Sequence, residues 1–223
     1  MTPRPPRLTA LGAAATLLVG GLLTAVPAAQ AAGDAPAATP ARATAGRTAP
    51  AITPTPQSVK PRTDRITISP TVTLVAGNTS DESALQVVES ALRRAGAHRV
   101  VRSDRPARNG LTVHVGDSAA LAAQRIEGPD ALPADGYVLG IGAGRIVLAG
   151  KDTTGTYYAA QTLRQILPHS GHPGAGVAGL AVRDWPGTAL RGVIEGFYGT
   201  PWSHEARLDQ LDYYGEHKMN IFM

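Results

Sequence analysis

One short stretch of the sequence combines the residue types that chemistry on a bound molecule requires. Residues 191–202 read RGVIEGFYGTPW, so a brief apolar run ends at the carboxylate of Glu195 and then breaks into glycines, aromatics and proline. An α/β barrel builds part of a pocket at the C-terminal rim of its strands in this way. The stretch therefore predicts a pocket at the end of a strand.

Glu195 is the candidate acid of this stretch, and two interpretations of it stand side by side. Hydrolysis of a glycosidic bond usually needs two carboxyl groups that flank the bond. No second acid of comparable placement precedes Glu195, and Asp209 and Asp212 fall on the helix predicted to follow, where solvent is their expected neighbour. A structural carboxylate, bonded to neighbouring strands or to loop backbone, is favoured over a catalytic one. We therefore assign no catalytic residue.

The aromatic residues of the stretch also allow two interpretations. Phe197, Tyr198 and Trp202 could form a wall on which a sugar ring stacks, or they could plug the mouth of a barrel. The residue types alone do not separate the two.

Other patterns that suggest a ligand fail on their context. The glycines of residues 140–144 precede a predicted strand rather than a helix, so a phosphate would have no helix N-terminus to bind. His169 and His172 lie in a glycine-rich loop without a nearby acid, which disfavours a metal site. No Gly-x-Ser-x-Gly motif offers a serine nucleophile. The sequence thus predicts neither a metal nor a cofactor.

The elements around the candidate pocket read as strand, loop, helix and strand over residues 191–223. Ser203 is placed to cap a helix, Glu205 complements its positive N-terminus, and Leu208, Leu211 and Gly215 share one face. Residues 219–223 are apolar and strand-like. We expect one βαβ step of a barrel, with the chain stopping inside its second strand.

A separate α/β region is predicted over residues 51–186. Apolar residues at helical spacing follow a capping sequence at residue 80 and end at Gly96, and a second helix is predicted over residues 155–167. Its expected buried stripe consists of Ala159, Leu163, Ile166 and Leu167. Residues 137–141 and 145–149 form a predicted hairpin. The predicted fold class is α/β, an accessory α+β sheet domain followed by the first βαβ unit of a TIM (β/α)8 barrel (residues 187–223).

The N-terminus has the three parts of an export signal. Arg4 and Arg7 precede an uncharged run over residues 8–26, and residues 29–31 read AQA, the small-x-small pattern of a cleavage site. An uncleaved membrane anchor is the alternative, but the many Ala and Gly residues disfavour it. We expect a signal peptide over residues 1–31, a disordered linker over residues 32–50, a secreted protein and no stable membrane anchor.

Charge and cysteine content exclude several classes of function. The formal net charge is +4, yet no Lys/Arg run with interleaved aromatics occurs, so we expect neither a basic face nor nucleic-acid binding. There is no cysteine, and this excludes disulfides and thiolate metal sites.

Residues 191–202 closely resemble the start of the catalytic barrel in glycoside hydrolase family 84, a family of β-N-acetylglucosaminidases that includes O-GlcNAcases and bacterial enzymes often labelled hyaluronidases. Residues 184–186 (DWP) and 219–222 (MNIF) also resemble this family. The preceding region resembles the accessory domain that families 84 and 20 share, on residues 54–57 (PTPQ), 136–139 (GYVL) and 155–163 (GTYYAAQTL).

The resemblance implies a substrate and a mechanism. Gly196 would contact the sugar hydroxyls through its backbone, where a missing side chain permits close approach, and Tyr198 would line the same pocket. The substrate, a glycan or glycoprotein carrying β-linked N-acetylglucosamine, would be hydrolysed with retention because its own 2-acetamido oxygen attacks the anomeric carbon. The lysine and paired aspartates that family members place beyond the strand at residues 219–223 are not reached, so we expect this polypeptide alone to be inactive.

Two other functions remain open. One is a non-catalytic module that binds carbohydrate or protein through the accessory domain. Against it, Ile194, Leu208, Ile221 and Phe222 would lack barrel partners. The other is a family-20-like hexosaminidase, although the barrel opening of that family differs from residues 195–199 here.

Overall fold

The structure, a computed structural model, describes residues 50–196 and 199–223. The predicted signal peptide, nearly all of the predicted linker, and Phe197 and Tyr198 lie outside these residues. Most of the described chain forms one seven-stranded sheet in the order β1-β7-β5-β6-β4-β2-β3. Its strands are β1 (Ser58–Thr67), β2 (Thr71–Ala76), β3 (Arg99–Arg102), β4 (Leu111–Val115), β5 (Tyr137–Gly142), β6 (Arg145–Gly150) and β7 (Gly176–Asp184).

The sheet is mixed, and its two halves follow from the connections between the strands. β3, β2, β4 and β6 run parallel, whereas β1, β7, β5 and β6 pair antiparallel. The predicted hairpin is confirmed as β5 and β6. Its turn consists of Ala143 and Gly144 with φ of 48° and 72°, as a two-residue hairpin turn requires. The glycines of residues 140–144 therefore serve a turn and not a phosphate.

Two helices cover one face of this sheet. Helix α1 (Glu82–Arg94) begins after Asp81, whose side chain accepts a hydrogen bond from the N–H of Ala84. It buries the apolar positions that its spacing predicts, and α2 (Thr153–Ile166) begins after the equivalent cap, Asp152. A 3₁₀ helix at Ser118–Gln124 packs on the other face, against a small apolar cluster that includes Val138 and Val147.

Helix α2 is buried more widely than the predicted stripe. Thr156, Gln161 and Thr162 are each at most 2% exposed, in addition to the predicted Ala159, Leu163 and Leu167. Ile166, also predicted to be buried, is only half-buried. The prediction of one buried stripe was incomplete because α2 packs on β5 and β6, along α1 and against the segment that follows β7.

That segment is the predicted βαβ step. β8 (Gly192–Val193) and β9 (Ile221–Phe222) are parallel neighbours, and α3 (His204–Glu216) connects them. Ser203 caps α3 as predicted, by accepting a hydrogen bond from the N–H of Ala206. No helix in residues 50–196 or 199–223 is long and apolar enough to cross a membrane.

Candidate functional site

A pocket lies at the C-terminal end of β8, where the sequence predicts one. It encloses about 360 Å³, and we call it the strand-end pocket. Its lining residues are Val193, Ile194, Glu195, Gly196, Gly199, Thr200, Pro201, Trp202, Gln210 and Tyr214. The pocket thus combines the end of a strand, residues 199–202 of the loop that follows and one side of α3, as at the rim of a barrel.

Glu195 is held in place by the chain on both sides of it. Its backbone N–H donates to the carbonyl of Met223 at 2.6 Å, which continues the pairing of β8 with β9. Its carboxylate accepts from Nη2 and Nε of Arg207 on α3 at 3.2 and 3.3 Å, and its side chain is 13% exposed. This geometry fits the structural interpretation of Glu195, since the charge-assisted bonds fix α3 against the strand end.

Of the two predicted binding residues, Gly196 and Tyr198, the structure describes only the first. Gly196 lines the strand-end pocket, directly after Glu195. Tyr198 lies outside the described residues, so the structure places only one of the two. Trp202 stands at the rim with 51% of its surface exposed, and Ile194 is 72% exposed. The rim therefore offers aromatic and apolar surface to a ligand.

The opposite end of β8 carries a buried polar cluster that sequence reasoning missed. Lys218, between α3 and β9, is 5% exposed, and its Nζ donates to the hydroxyl of Tyr137 at 2.8 Å and to Asp184 at 3.3 Å. The Tyr137 hydroxyl in turn donates to Asp184 at 2.9 Å. Burial lowers the pKa of Lys218 despite the neighbouring carboxylate, and burial followed by the charge of Asp184 raises the pKa of Tyr137 well above its usual value.

Arg191 extends this cluster along the same end of the strand. Its Nη2 donates to the hydroxyl of Tyr158 on α2 at 2.7 Å, and its Nε donates to the carbonyl of Lys218 at 3.1 Å. The guanidinium also lies 5.4 Å from the centre of the Tyr158 ring, a cation–π contact. We call Tyr137, Tyr158, Asp184, Arg191 and Lys218 the junction cluster, because it joins the βαβ step to the large sheet and α2.

The sequence gives little signal for the junction cluster. By sequence Lys218 is only a cation near the negative end of α3, and Asp184 and Tyr137 lie 34 and 81 residues from it. Arg191 is the first residue of the stretch 191–202, but no sequence pattern indicates its partners. Within the described ranges there is no group of three His, Asp or Glu side chains placed to hold a metal ion.

Two family models match this chain, one on each side of the connection between β7 and β8. The model described as glycosyl hydrolase family 20, domain 2, matches residues 49–185, which is more than half of the chain. The chain belongs to this family. A second model, described as beta-N-acetylglucosaminidase, matches residues 191–223. The family 20 domain 2 match thus ends with β7, and the second match covers the βαβ step.

Solved structures show the same architecture. CpGH84B is 28% identical with a TM-score of 0.63, over 77% of this chain and 29% of that one. A beta-N-acetylhexosaminidase from Bacteroides fragilis is 19% identical with a TM-score of 0.59, over 77% and 31% of the two chains. A mutant Streptomyces plicatus beta-hexosaminidase, in complex with its product GlcNAc, is 22% identical with a TM-score of 0.60, over 78% and 35%.

This chain spans about a third of the length of the protein chains in these structures. Similar structures include two labelled GH84 and one labelled GH20, and those described by activity are a beta-N-acetylhexosaminidase, an exo beta-N-acetylglucosaminidase and a beta-hexosaminidase, all of them glycoside hydrolases. The predicted fold class is confirmed, with the sheet domain of the family 20 domain 2 model followed by the start of a barrel.

Proposed function

We propose that this chain is the N-terminal part of a retaining β-N-acetylglucosaminidase of the family 84 type. The observation that carries the proposal is the strand-end pocket, which brings Gly196, Gly199 and Trp202 to the C-terminal end of β8. The match of residues 191–223 to the beta-N-acetylglucosaminidase model supports it. Family 84 is preferred over family 20 because of residues 195–199 (EGFYG), and the 28% identity with CpGH84B supports that choice.

In this proposal the described residues bind the sugar rather than break its bond. The backbone of Gly196 faces the sugar hydroxyls and Trp202 borders the pocket, while Glu195 holds the loop through Arg207. Tyr198, which lies outside the described residues, is a second binding residue only on the strength of the family resemblance. The 2-acetamido oxygen of the substrate attacks the anomeric carbon, so no side chain of the enzyme acts as nucleophile. The protein of residues 1–223 has no glycosidase activity, because the aspartates that orient this group and move the proton are not among its residues.

The test is to sequence the gene beyond codon 223 and to assay the protein that the whole reading frame encodes. We expect a lysine and then paired aspartates in the sequence, and hydrolysis of an aryl β-N-acetylglucosaminide with retention. The matched aryl β-glucoside, which lacks the acetamido nucleophile, is expected to react at least about a thousandfold more slowly. Comparable rates on both substrates, or a frame without the paired aspartates, would refute the family 84 mechanism.

A second assay addresses residues 1–223 alone. The purified protein is expected to give no turnover of the N-acetylglucosaminide above a heat-killed control. Turnover above that control would place catalytic residues within the chain and overturn the assignment of a binding role.

Export completes the proposal. We propose that residues 1–31 are removed and that the mature enzyme acts outside the cell on glycans or glycoproteins that carry N-acetylglucosamine. N-terminal sequencing of protein from the culture medium should begin at Ala32, and recovery of intact residue 1 from membranes alone would contradict secretion.

A further inference from the structure

A groove separate from the strand-end pocket runs over the open face of the large sheet. The 3₁₀ helix and the loop after it pack on β5 and β6, which leaves the same face of β1 and β7 uncovered. The groove encloses about 310 Å³. Small or apolar residues, among them Ser58, Val138 and Ala181, form its floor.

Four cations surround this groove, which we call the basic groove. Lys60, Arg62, Arg125 and Arg183 line it, and Glu127 is the one acidic residue among the lining residues that the structure describes. Lys60 and Arg62 are close in sequence, but Arg125 and Arg183 lie far from them and from each other, so no basic run occurs in the sequence. The expectation that the charge builds no basic face was therefore wrong.

The cations are positioned in two ways. Two of them are held by partners. Nη1 of Arg183 donates to the carbonyl of Gly128 at 3.1 Å, and Nη2 of Arg62 donates to Oδ2 of Asp64 at 3.4 Å. Lys60 and Arg125 are exposed, and neither makes an ion pair within the described part of the chain. Arg125 adopts a left-handed conformation (φ 56°) as the C-cap of the 3₁₀ helix, which sets it at the wall of the groove. The groove thus keeps two cations available for a ligand.

We propose that the basic groove binds a carboxylate- or sulfate-bearing sugar of an anionic glycan. Guanidinium groups match carboxylate and sulfate oxygens with paired hydrogen bonds, and the volume suits one or two sugar residues. None of the described lining residues is aromatic, so the groove has no stacking surface for a nucleic-acid base or for a neutral sugar ring.

The edge of the sheet also argues against a peptide as the occupant. β1 is an edge strand, but Pro61 lacks an N–H and the pairing with β7 shifts register between Pro61 and Arg65. An extended peptide could not add continuously to such an edge. The choice of a glycan over another polyanion rests on the proposed function, because the substrate of the enzyme is itself a glycan.

The test measures binding to a sulfated, uronate-containing hexasaccharide and to an unsulfated uronate hexasaccharide, with maltohexaose as the uncharged control. We expect binding of at least one anionic sugar and none of maltohexaose. Lys60→Gln with Arg125→Gln should weaken that binding about tenfold or more, and rising salt should weaken it further. An unchanged unfolding midpoint establishes that this double variant is folded.

Arg105→Gln with Arg108→Gln is the matched control. It removes the same charge from exposed arginines in the connection between β3 and β4, at the other side of the sheet. Equal weakening by both double variants, failure to bind either anionic sugar, or equal displacement by inorganic sulfate at matched ionic strength would overturn the proposal. So would tighter binding of a single-stranded DNA hexamer that the Lys60 and Arg125 variant abolishes.

The outcome is separable from the proposed function. Hydrolysis of a small uncharged aryl substrate does not use the basic groove, so the double variant of Lys60 and Arg125 should leave that rate unchanged in the protein encoded by the whole frame. Anionic binding without hydrolysis would refute only the proposed enzyme, and hydrolysis without anionic binding would refute only the groove.

Discussion

The two ends of β8 differ in burial and in polar contacts although they are only a few residues apart. At the N-terminal end, Lys218 is 5% exposed and sits in the hydrogen-bonded junction cluster. At the C-terminal end, Trp202 is 51% exposed beside an open pocket. In barrels the N-terminal face serves stability and the C-terminal face carries the ligand site. The βαβ step has its buried cluster at the first of these ends and its open pocket at the second.

Removing one partner of the junction cluster should have the largest effect on stability. Lys218→Met keeps the length of the side chain and its left-handed backbone (φ 60°) but leaves Asp184 buried without its cation. A broken buried ion pair costs about 3 kcal/mol or more, because an uncompensated charge remains. Denaturant unfolding should therefore show a free energy of unfolding lower by that amount.

Two further variants decide whether the loss comes from the pair. Lys60→Met removes an equally charged but exposed lysine and should change the free energy by less than about 0.5 kcal/mol. Lys218→Met combined with Asp184→Asn should recover part of the loss, since both charges are then gone. Additive losses in the double variant would contradict the buried pair.

Glu195→Gln tests the ion pair between Glu195 and Arg207 at the pocket end. It weakens the bonds to Arg207 on a side chain that is 13% exposed, so we expect a loss of about 1–2 kcal/mol in denaturant unfolding. Glu127→Gln, on a side chain that is 78% exposed, is the control and should have little effect.

The same substitution separates the structural interpretation of Glu195 from the catalytic one. In the protein encoded by the whole frame, a structural Glu195 predicts a fall in kcat of no more than about tenfold. A fall of a thousandfold or more with the fold intact would indicate general acid–base catalysis by this residue instead.

An acid-sensitive contact also lies on the junction side. Glu216 at the end of α3 pairs with Arg164 on α2, and this hydrogen bond holds the pKa of Glu216 below its usual 4.5. A lowered pKa contributes stability that is present above pH 4.5 and is lost as the pH falls through the folded value. Because the pair is partly exposed, the contribution is about 1 kcal/mol or less.

Unfolding curves at several pH values check this contribution. Glu216→Gln should be less stable than the unchanged protein at pH 6 and should approach it as the solution is acidified. Glu127→Gln should run parallel to the unchanged protein across the same range. A constant gap for Glu216→Gln at every pH would mean that the contact does not depend on ionisation.

Local sequence patterns predict most of the secondary structure and the pocket at the C-terminal end of β8. Caps and apolar periods locate α1, α2 and α3, and the change from an apolar run to Glu195 and Gly196 locates the pocket. These features depend on neighbours in sequence, so a single sequence contains them.

The junction cluster and the basic groove could not be predicted in the same way. Lys218 and Asp184 meet because β7 and the turn before β9 come together, and Lys60 and Arg183 meet because β1 pairs with β7. Such contacts depend on strand order, and the order β1-β7-β5 is not written in any local pattern. Lysine is also typical of a solvated surface, so the residue type does not predict that Lys218 is buried.

Trp202→Ala should change stability least and therefore tests the comparison most sharply. If Trp202 is a sugar-binding wall, its removal from an exposed rim should alter the free energy of unfolding by less than about 0.5 kcal/mol. It should also raise KM for the N-acetylglucosaminide about tenfold in the protein encoded by the whole frame, because a stacking surface is lost. If the side chain instead plugs the barrel, stability in that protein should fall by about 3 kcal/mol or more, as for a buried aromatic.

Trp185→Ala is the matched control on the junction side. Trp185 is half-buried against the apolar cluster beneath the 3₁₀ helix, so the same substitution should cost more stability there than at Trp202 and should leave KM unchanged. We therefore expect Trp202→Ala to change mainly KM and Trp185→Ala to change mainly the free energy of unfolding. Suppose that Trp202→Ala lowers the free energy of unfolding and leaves KM unchanged. This result would contradict a ligand site at the C-terminal end of β8, since Trp202 would then have a packing role like that of Trp185.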